Sequence, residues 1–268
     1  MASLQGRRVL LTGASSGIGA ALLRHLCAAG AEVFVGDLEP EKVERHGGAV
    51  TVASVDLSEP GATAALIDAA EAALGGVDLY IANAGFTYYG PLHDSEGMPR
   101  AEASPAAIER IYRVNLFAPI EGFVELTSRA RRAGRGLQSL FVCSAMAALP
   151  IPGYPLYGST KAGLHHFAES QRWLLEPGER ITVAYPIATR TRFFDRGPRS
   201  IPRPYPSQPV EEVALRIFRG LLKGKKRIYP SRLFRVTVLM GRFLPVLGLY
   251  QWWERRKLRR WLATETRA

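Results

Sequence analysis

The strand, glycine turn and helix encoded by residues 7–29 constrain this chain more than any other feature. Arg7-Arg8-Val9-Leu10-Leu11-Thr12 is a short apolar run of the kind that fills a buried strand. It leads into Gly13-Ala14-Ser15-Ser16-Gly17-Ile18-Gly19 and then into an apolar-periodic helix, Ala20 to Ala29. Gly13 permits a tight turn, and Gly17 and Gly19 let the backbone approach a ligand and let helix pack on strand. The helix start offers free N–H groups and a positive dipole end, which suits phosphate. The spacing of the three glycines is three residues, then one. A glycine-rich turn alone is usually only a turn; between this strand and this helix it predicts a dinucleotide-binding loop.

Alternation continues along the chain. Strand patterns cover Glu32–Gly36, Ala49–Val55, Val77–Ala82, Gln138–Cys143, Ile181–Ala184 and Arg227–Tyr229. Helical patterns cover Pro40–His46, Pro60–Leu74, Pro105–Arg132, Pro155–Leu175 and Pro209–Leu222, several of them opened by proline. This order predicts an α/β chain with a Rossmann-like, doubly wound parallel sheet of about seven strands, helices on both faces and right-handed crossovers. With 268 residues, one large core is expected over 1–230, followed by a basic, apolar helical extension over 231–268.

Chemistry concentrates in Tyr157-Gly158-Ser159-Thr160-Lys161, which stands thirteen residues after Ser144. A tyrosine and a lysine four apart share one helix face. An ammonium beside a phenol stabilises the phenolate, so the Tyr157 pKa is expected to fall toward working pH. Such a phenol can take a proton from an alcohol or give one to a carbonyl. Asn115 interrupts the long helical stretch with an amide, which is mildly unfavourable there and hints at a purpose.

In order, Thr12 to Gly19, then Asp56, Asn83-Ala84-Gly85, Asn115, Ser144, Tyr157 and Lys161 resemble the motifs of the short-chain dehydrogenase/reductases, over roughly residues 5 to 230. Pro186, with Thr191 five residues on, looks like that family's nicotinamide-side loop. The resemblance implies an NAD(P)-dependent oxidoreductase that interconverts a secondary alcohol and a ketone. Tyr157 would be the general acid/base, Lys161 would tune it and hold the nicotinamide ribose, Ser144 would steady the substrate oxygen and Asn115 would support a proton-carrying water chain. Cofactor contacts would come from Gly13, Ser15, Ser16, Gly17, Ile18, Gly19, Asp37, Asp56, Leu57, Asn83, Ala84, Gly85, Tyr157, Lys161, Pro186 and Thr191. Asp37 ends the second strand, where a carboxylate can accept ribose hydroxyls and repel a 2′-phosphate. NAD is therefore expected over NADP, with NADP kept open; capping of the next helix is the rival use of Asp37. For Asp56 the rival is a plain turn aspartate.

The sequence departs from the family at Ile187, where glycine is usual. Ile187 cannot relax the backbone as glycine does, so the loop Ala188–Gly197 is expected to follow its own path. Phe86, Tyr88, Tyr89, Tyr154, Phe193 and Phe194 are candidate apolar walls for a lipid- or steroid-like substrate. His93, His165 and His166 read as loop or packing residues, and no metal-ligand spacing is present. Cys27 and Cys143 read as reduced, buried thiols. Met1 to Gly6 lack a signal-peptide core, so a cytoplasmic chain is expected. The other class consistent with the fold is a redox-silent dinucleotide sensor or scaffold, which would have no need to keep both Tyr157 and Lys161.

Charge divides the molecule. From Arg219 to Ala268 there are 14 basic and 2 acidic residues, so the formal excess of +11 resides there. Leu233, Phe234, Trp252, Trp253 and Trp261 interleave with these arginines. The longest uncharged stretch, Phe243–Trp253, is shorter than the roughly 20 residues a spanning helix needs. Three readings stay open: packing on the body or on a second subunit, a helix lying on an anionic membrane surface, and non-specific nucleic-acid binding. The family resemblance also implies a homo-dimer or homo-tetramer through the helices carrying Asn115 and Tyr157.

Overall fold

The computed structural model describes residues 3–191, 193, 201, 204–240 and 246–265. Its strands are β1 (Arg8–Thr12), β2 (Glu32–Asp37), β3 (Val50–Ser54), β4 (Leu79–Ala82), β5 (Gln138–Val142), β6 (Arg180–Ala184), β7 (Thr189–Arg190), β8 (Gln208–Pro209) and β9 (Arg227–Ile228). Seven of them form one parallel sheet in the order β3-β2-β1-β4-β5-β6-β9. The helices are α1 (Gly17–Ala28), α2 (Ala62–Leu74), α3 (Pro105–Tyr112), α4 (Ala118–Arg132), α5 (Pro155–Gln171), α6 (Val210–Leu222), α7 (Arg232–Met240) and α8 (Val246–Glu265).

Burial on both faces of the sheet explains why the strands read as near-continuous apolar runs. Leu10, Phe34, Tyr80 and Phe141 face a core layer supplied by Leu66 and Ile67 of α2, Phe123 and Leu126 of α4 and Leu164 of α5. The alternate residues Val9, Leu11, Val33, Val35, Leu79 and Ile81 face Leu22 and Leu26 of α1 and Val213 and Ile217 of α6. Strand order reverses between β1 and β4, and Thr12 is in register with both Gly36 and Ala82. The carboxyl ends of β1, β2 and β4 therefore open side by side at the reversal, which is where an open α/β sheet forms its binding crevice.

Three elements differ from expectation. The helix expected over Pro40–His46 is absent: Pro40–Lys42 makes one 3-10 turn and Val43 returns to extended backbone. Val43 is drawn into the core, and Gly47, at φ 68°, turns the chain toward β3. The long helix over 105–132 is broken by a widened π turn, Arg113–Phe117, between α3 and α4. The loop after β6 is pinned by a short pairing of β7 with β8 that the sequence did not signal.

Near the carboxyl terminus, Ser231 caps α7, its Oγ accepting the Phe234 N–H at 3.1 Å. Phe234 enters the core, and Tyr250 of α8 packs against the same layer. Among the described residues no helix is long and apolar enough to cross a membrane.

Candidate active site

A cleft of about 740 Å³ runs along the carboxyl edge of the sheet, from the glycine turn to the start of α5. Its phosphate-side end is built from backbone. Gly13 sits at φ 73°, and a Cβ there would lie 2.7 Å from the Ala84 Cα. At Gly19 a Cβ would stand 1.8 Å from the Gly13 carbonyl oxygen, so only glycine lets α1 start this close to β1. Ser16, the residue before α1, makes no side-chain cap, which leaves the first amides of the helix without a serine partner. Asn83 secures the turn: its Nδ2 donates to the Gly13 carbonyl at 2.5 Å and the Thr12 carbonyl at 3.2 Å. Thr12 Oγ1 accepts the Asn83 and Ala84 amides.

Asp37 is buried at the end of β2, within the cleft lining. Its carboxylate accepts the Ser15 N–H at 2.7 Å and the Glu39 N–H at 2.9 Å. It thus ties the glycine turn to β2 and holds the Glu39 amide, while the 3-10 turn that follows carries no side-chain cap. A carboxylate offers about four acceptor sites, so lone pairs remain for further donors. Asp56 also lines the cleft, with its Oδ1 accepting the Ser58 amide and hydroxyl. The Ser58 hydroxyl holds the Asp56 carboxyl below its usual range, with Arg110 adding a weaker pull. Leu57, Ser15, Ser16, Gly17, Ile18, Ala84 and Gly85 line the cleft too. Gly19 does not line the cleft and instead packs against the Gly13 carbonyl. An uncapped helix start, glycines that admit no side chain, and a buried carboxylate together fit an extended dinucleotide.

At the other end the sheet and α5 converge on Ser144, Tyr157 and Lys161, which share the same wall. Ser144 leaves β5 and caps a 3-10 turn, its Oγ accepting the Met146 N–H at 3.1 Å. That acceptance leaves its one hydroxyl hydrogen for the hydrogen bond with Tyr157. Lys161 Nζ is buried, donates to the Val142 carbonyl at 3.2 Å, and lies 5.7 Å from the centre of the Tyr157 ring. Asn115 is fully buried and does not line the cleft. From the π turn its Oδ1 accepts the Phe86 N–H at 3.1 Å and its Nδ2 donates to the Phe86 carbonyl at 2.9 Å. The same Nδ2 reaches Thr160 Oγ1 at 3.3 Å, and Thr160 donates to the Tyr157 carbonyl at 2.8 Å. Asn115 and Thr160 thereby lock the loop after β4 to the first turns of α5. Thr160 was not singled out from sequence, because a threonine inside a helix carries no local signal of such a link.

The electrostatics correct one expectation. Burial pushes the Tyr157 phenol above its ordinary value, with the Ser144 hydrogen bond opposing the rise. Burial pushes the Lys161 ammonium down. The fall expected for Tyr157 from a lysine one turn away does not appear: burial disfavours the phenolate, and Lys161 is turned to the Val142 carbonyl.

Pro186 and Thr191 both line the cleft. Ile187 is accommodated without a left-handed backbone, and the Ala188 carbonyl accepts the Gln208 N–H at 2.9 Å. Thr191 is set against Gly17, where an added Cβ would meet its Cγ2 at 3.2 Å. Phe86, Tyr88, Tyr89, Tyr154 and Phe193 all border the cleft, and Phe193 meets the Tyr157 ring edge-on at 5.5 Å. Phe194 and most of the loop 192–203 lie outside the described residues. Met146, Arg100 and Arg110 line the cleft as well and were not foreseen. His165 bonds Tyr185 at 2.7 Å away from the cleft, and among the described residues no cluster suits a metal.

A family model for short chain dehydrogenases matches residues 7–197. The vibriobactin-specific 2,3-dihydro-2,3-dihydroxybenzoate dehydrogenase of Vibrio cholerae is 29% identical over 198 residues, covering 70% of this chain and 72% of that one. An uncharacterized oxidoreductase of Myxococcus xanthus is 30% identical over 256 residues, covering 91% of this chain and 95% of that protein. Among solved structures, a short chain dehydrogenase/reductase from Burkholderia phymatum in complex with NAD superposes with a TM-score of 0.74 at 20% identity, covering 90% of this chain and 94% of that one. One from Sphingobium yanoikuyae in complex with NADPH gives 0.70 at 23%, covering 90% and 95%. These two share the fold. The chain belongs to the short chain dehydrogenase family, oxidoreductases that act on CH–OH groups with NAD or NADP.

Proposed function

We propose that this enzyme interconverts a secondary alcohol and a ketone of apolar, lipid- or steroid-like character, with Tyr157 as general acid/base. The observation that carries the reading is the Ser144–Tyr157 hydroxyl pair, buried in the cleft whose far end is the glycine turn. The residues of that far end fit NAD or NADP, which when bound supplies the hydride acceptor or donor. Ser144 orients the substrate oxygen and donates to it. Tyr157 Oη gives a proton to a ketone oxygen or takes one from an alcohol. Its raised pKa keeps the phenol protonated, ready for reduction, and makes oxidation wait on deprotonation. Asn115 and Thr160 hold the Tyr157 backbone in place. Phe86, Tyr88, Tyr154, Met146 and Phe193 exclude water and favour apolar substrates.

NAD is the preferred cofactor in this reading, supported by Asp37, whose carboxylate meets a 2′-phosphate with like charge. The working form is a homo-oligomer, supported by exposed Phe117 and Val124 near α4 and Trp173 and Leu174 after α5. Attachment to an anionic membrane surface through residues 231–268 is proposed independently of the redox reading, supported by the charge of that segment. The test is reduction of NAD and of NADP, followed at the nicotinamide absorbance, against a panel of secondary alcohols. NAD-preferring turnover in wild type, relaxed toward NADP in Asp37→Ala, is expected. Cofactor binding without turnover on any alcohol or ketone overturns the reading.

A further inference from the structure

Helix α8 is built the wrong way round for a helix that faces only water. Its one carboxylate among residues 246–264, Glu254, is turned inward and is 1% exposed, while Trp252 and Trp253 are 53% and 40% exposed. Tyr250, Glu254 and Leu258 recur at four-residue spacing and form the inner face. Glu254 hydrogen-bonds the Tyr250 hydroxyl and the Lys257 ammonium, the latter at 3.1 Å. Its charge also reaches Tyr89 and Tyr154, both of which line the cleft. Leu258 packs on the same cluster, where the Tyr89 and Tyr154 rings lie 4.8 Å apart.

The outer surface has the opposite chemistry. Arg255, Arg256, Arg259 and Arg260 are exposed beside the two tryptophans, with the Arg256 guanidinium 4.0 Å from the centre of the Trp252 ring. Helix α7 repeats the mixture: Arg232, Leu233, Arg235 and Val236 are exposed while Phe234 is buried. Exposed arginine with tryptophan and branched aliphatic side chains, and no carboxylate on the described outer surface, complements a layer of anionic headgroups over hydrocarbon.

We infer that the outer face of α7 and α8 seats the protein on an anionic lipid surface, and that the inner face of α8 makes the seated helix the outer support of the substrate pocket. Lipid contact thus acts on substrate entry through the Tyr89–Tyr154 wall. The lipid contact stands apart from the redox reading; the effect on substrate entry rests on it.

The experiment uses the full chain in two measurements. Sedimentation with vesicles of phosphatidylcholine alone, and of phosphatidylcholine mixed with phosphatidylglycerol, reads the contact. Binding only to the mixed vesicles is expected, weakened about fivefold in Arg256→Gln and further in Trp252→Ala/Arg256→Gln. Equal binding to both vesicle types, or to neither, overturns the inference. So does self-association or binding of a duplex oligonucleotide, lost in the same variants, without vesicle binding. The second measurement compares a long-chain secondary alcohol held in the mixed vesicles with a short soluble one. For wild type KM for the long alcohol falls on vesicle addition; for the double variant it does not, while both turn over the short alcohol equally. Vesicle binding with unchanged KM refutes the link to the pocket alone, and absent turnover of the short alcohol refutes the redox reading instead.

Discussion

The glycine-turn end of the cleft and the carboxyl-terminal helices border the same site, yet they are held by different kinds of contact. The first is built around main chain: α1 rests on β1 through Gly19, and the side chains of Asn83, Thr12 and Asp37 grip backbone amides and carbonyls. The second is side chain against side chain, through Phe234, Tyr250, Glu254 and Leu258. Main-chain contacts tolerate little, because no rotamer can move a carbonyl aside. Side-chain docking can be trimmed one residue at a time. One region is therefore expected to fail abruptly under substitution and the other by degrees.

Four substitutions probe that contrast, in decreasing order of effect. Tyr157→Phe removes the proton carrier at the functional end, and turnover is expected to fall about 10³-fold, close to 4 kcal/mol of barrier, with cofactor binding retained. In wild type the raised phenol pKa gives a sign: alcohol oxidation should climb with pH from neutral to alkaline, while ketone reduction stays level over the same range because the phenol remains protonated. A flat oxidation profile in which chemistry limits the rate would contradict it. Gly19→Ala forces a methyl group onto the Gly13 carbonyl; a stability loss of about 2 kcal/mol is expected in thermal unfolding, together with a marked loss of cofactor affinity by fluorescence titration. A silent Gly19→Ala would break the contrast altogether. Glu254→Ala leaves the Tyr250 hydroxyl and Lys257 without their buried partner and should cost about 1–2 kcal/mol by denaturant titration. Trp252→Ala on the outer face should change stability by less than about 0.5 kcal/mol; a larger loss would mean that this face is packed rather than open.

The same contrast governs what could be read from the amino acids. The strands and the glycine turn were legible because parallel strands buried on both faces have to be continuous apolar runs, and because a close backbone approach demands glycine at fixed positions. Tyr157 and Lys161 could be paired since they share a helix face, and Ser144 joined them through the family resemblance. The direction of the Tyr157 shift was not legible: it depends on how deeply the phenol and the ammonium are buried, which is a property of the packed molecule. Pro40–His46 looked helical by its opening proline, but Val43 gains more from the core than one further helical turn would give. Glu254 is the extreme case, since a carboxylate beside two tryptophans and two arginines reads as the solvent side of any helix.

The π turn at Arg113–Phe117 has a consequence for the length of that segment. It fits one more residue into a turn than an α-helix does, and a residue in an α-helix advances the side chains by about 100°. Upstream, the phase is fixed by Ile111 in the core; within the turn Asn115 is held on Phe86, and downstream the phase is fixed by Phe123 and Leu126 against the sheet. Shortening the segment by one residue would leave a regular helix unable to satisfy both anchors. Amide and core are thus kept in step by an irregularity, and the chain between them can be neither shortened nor lengthened without releasing one of the two.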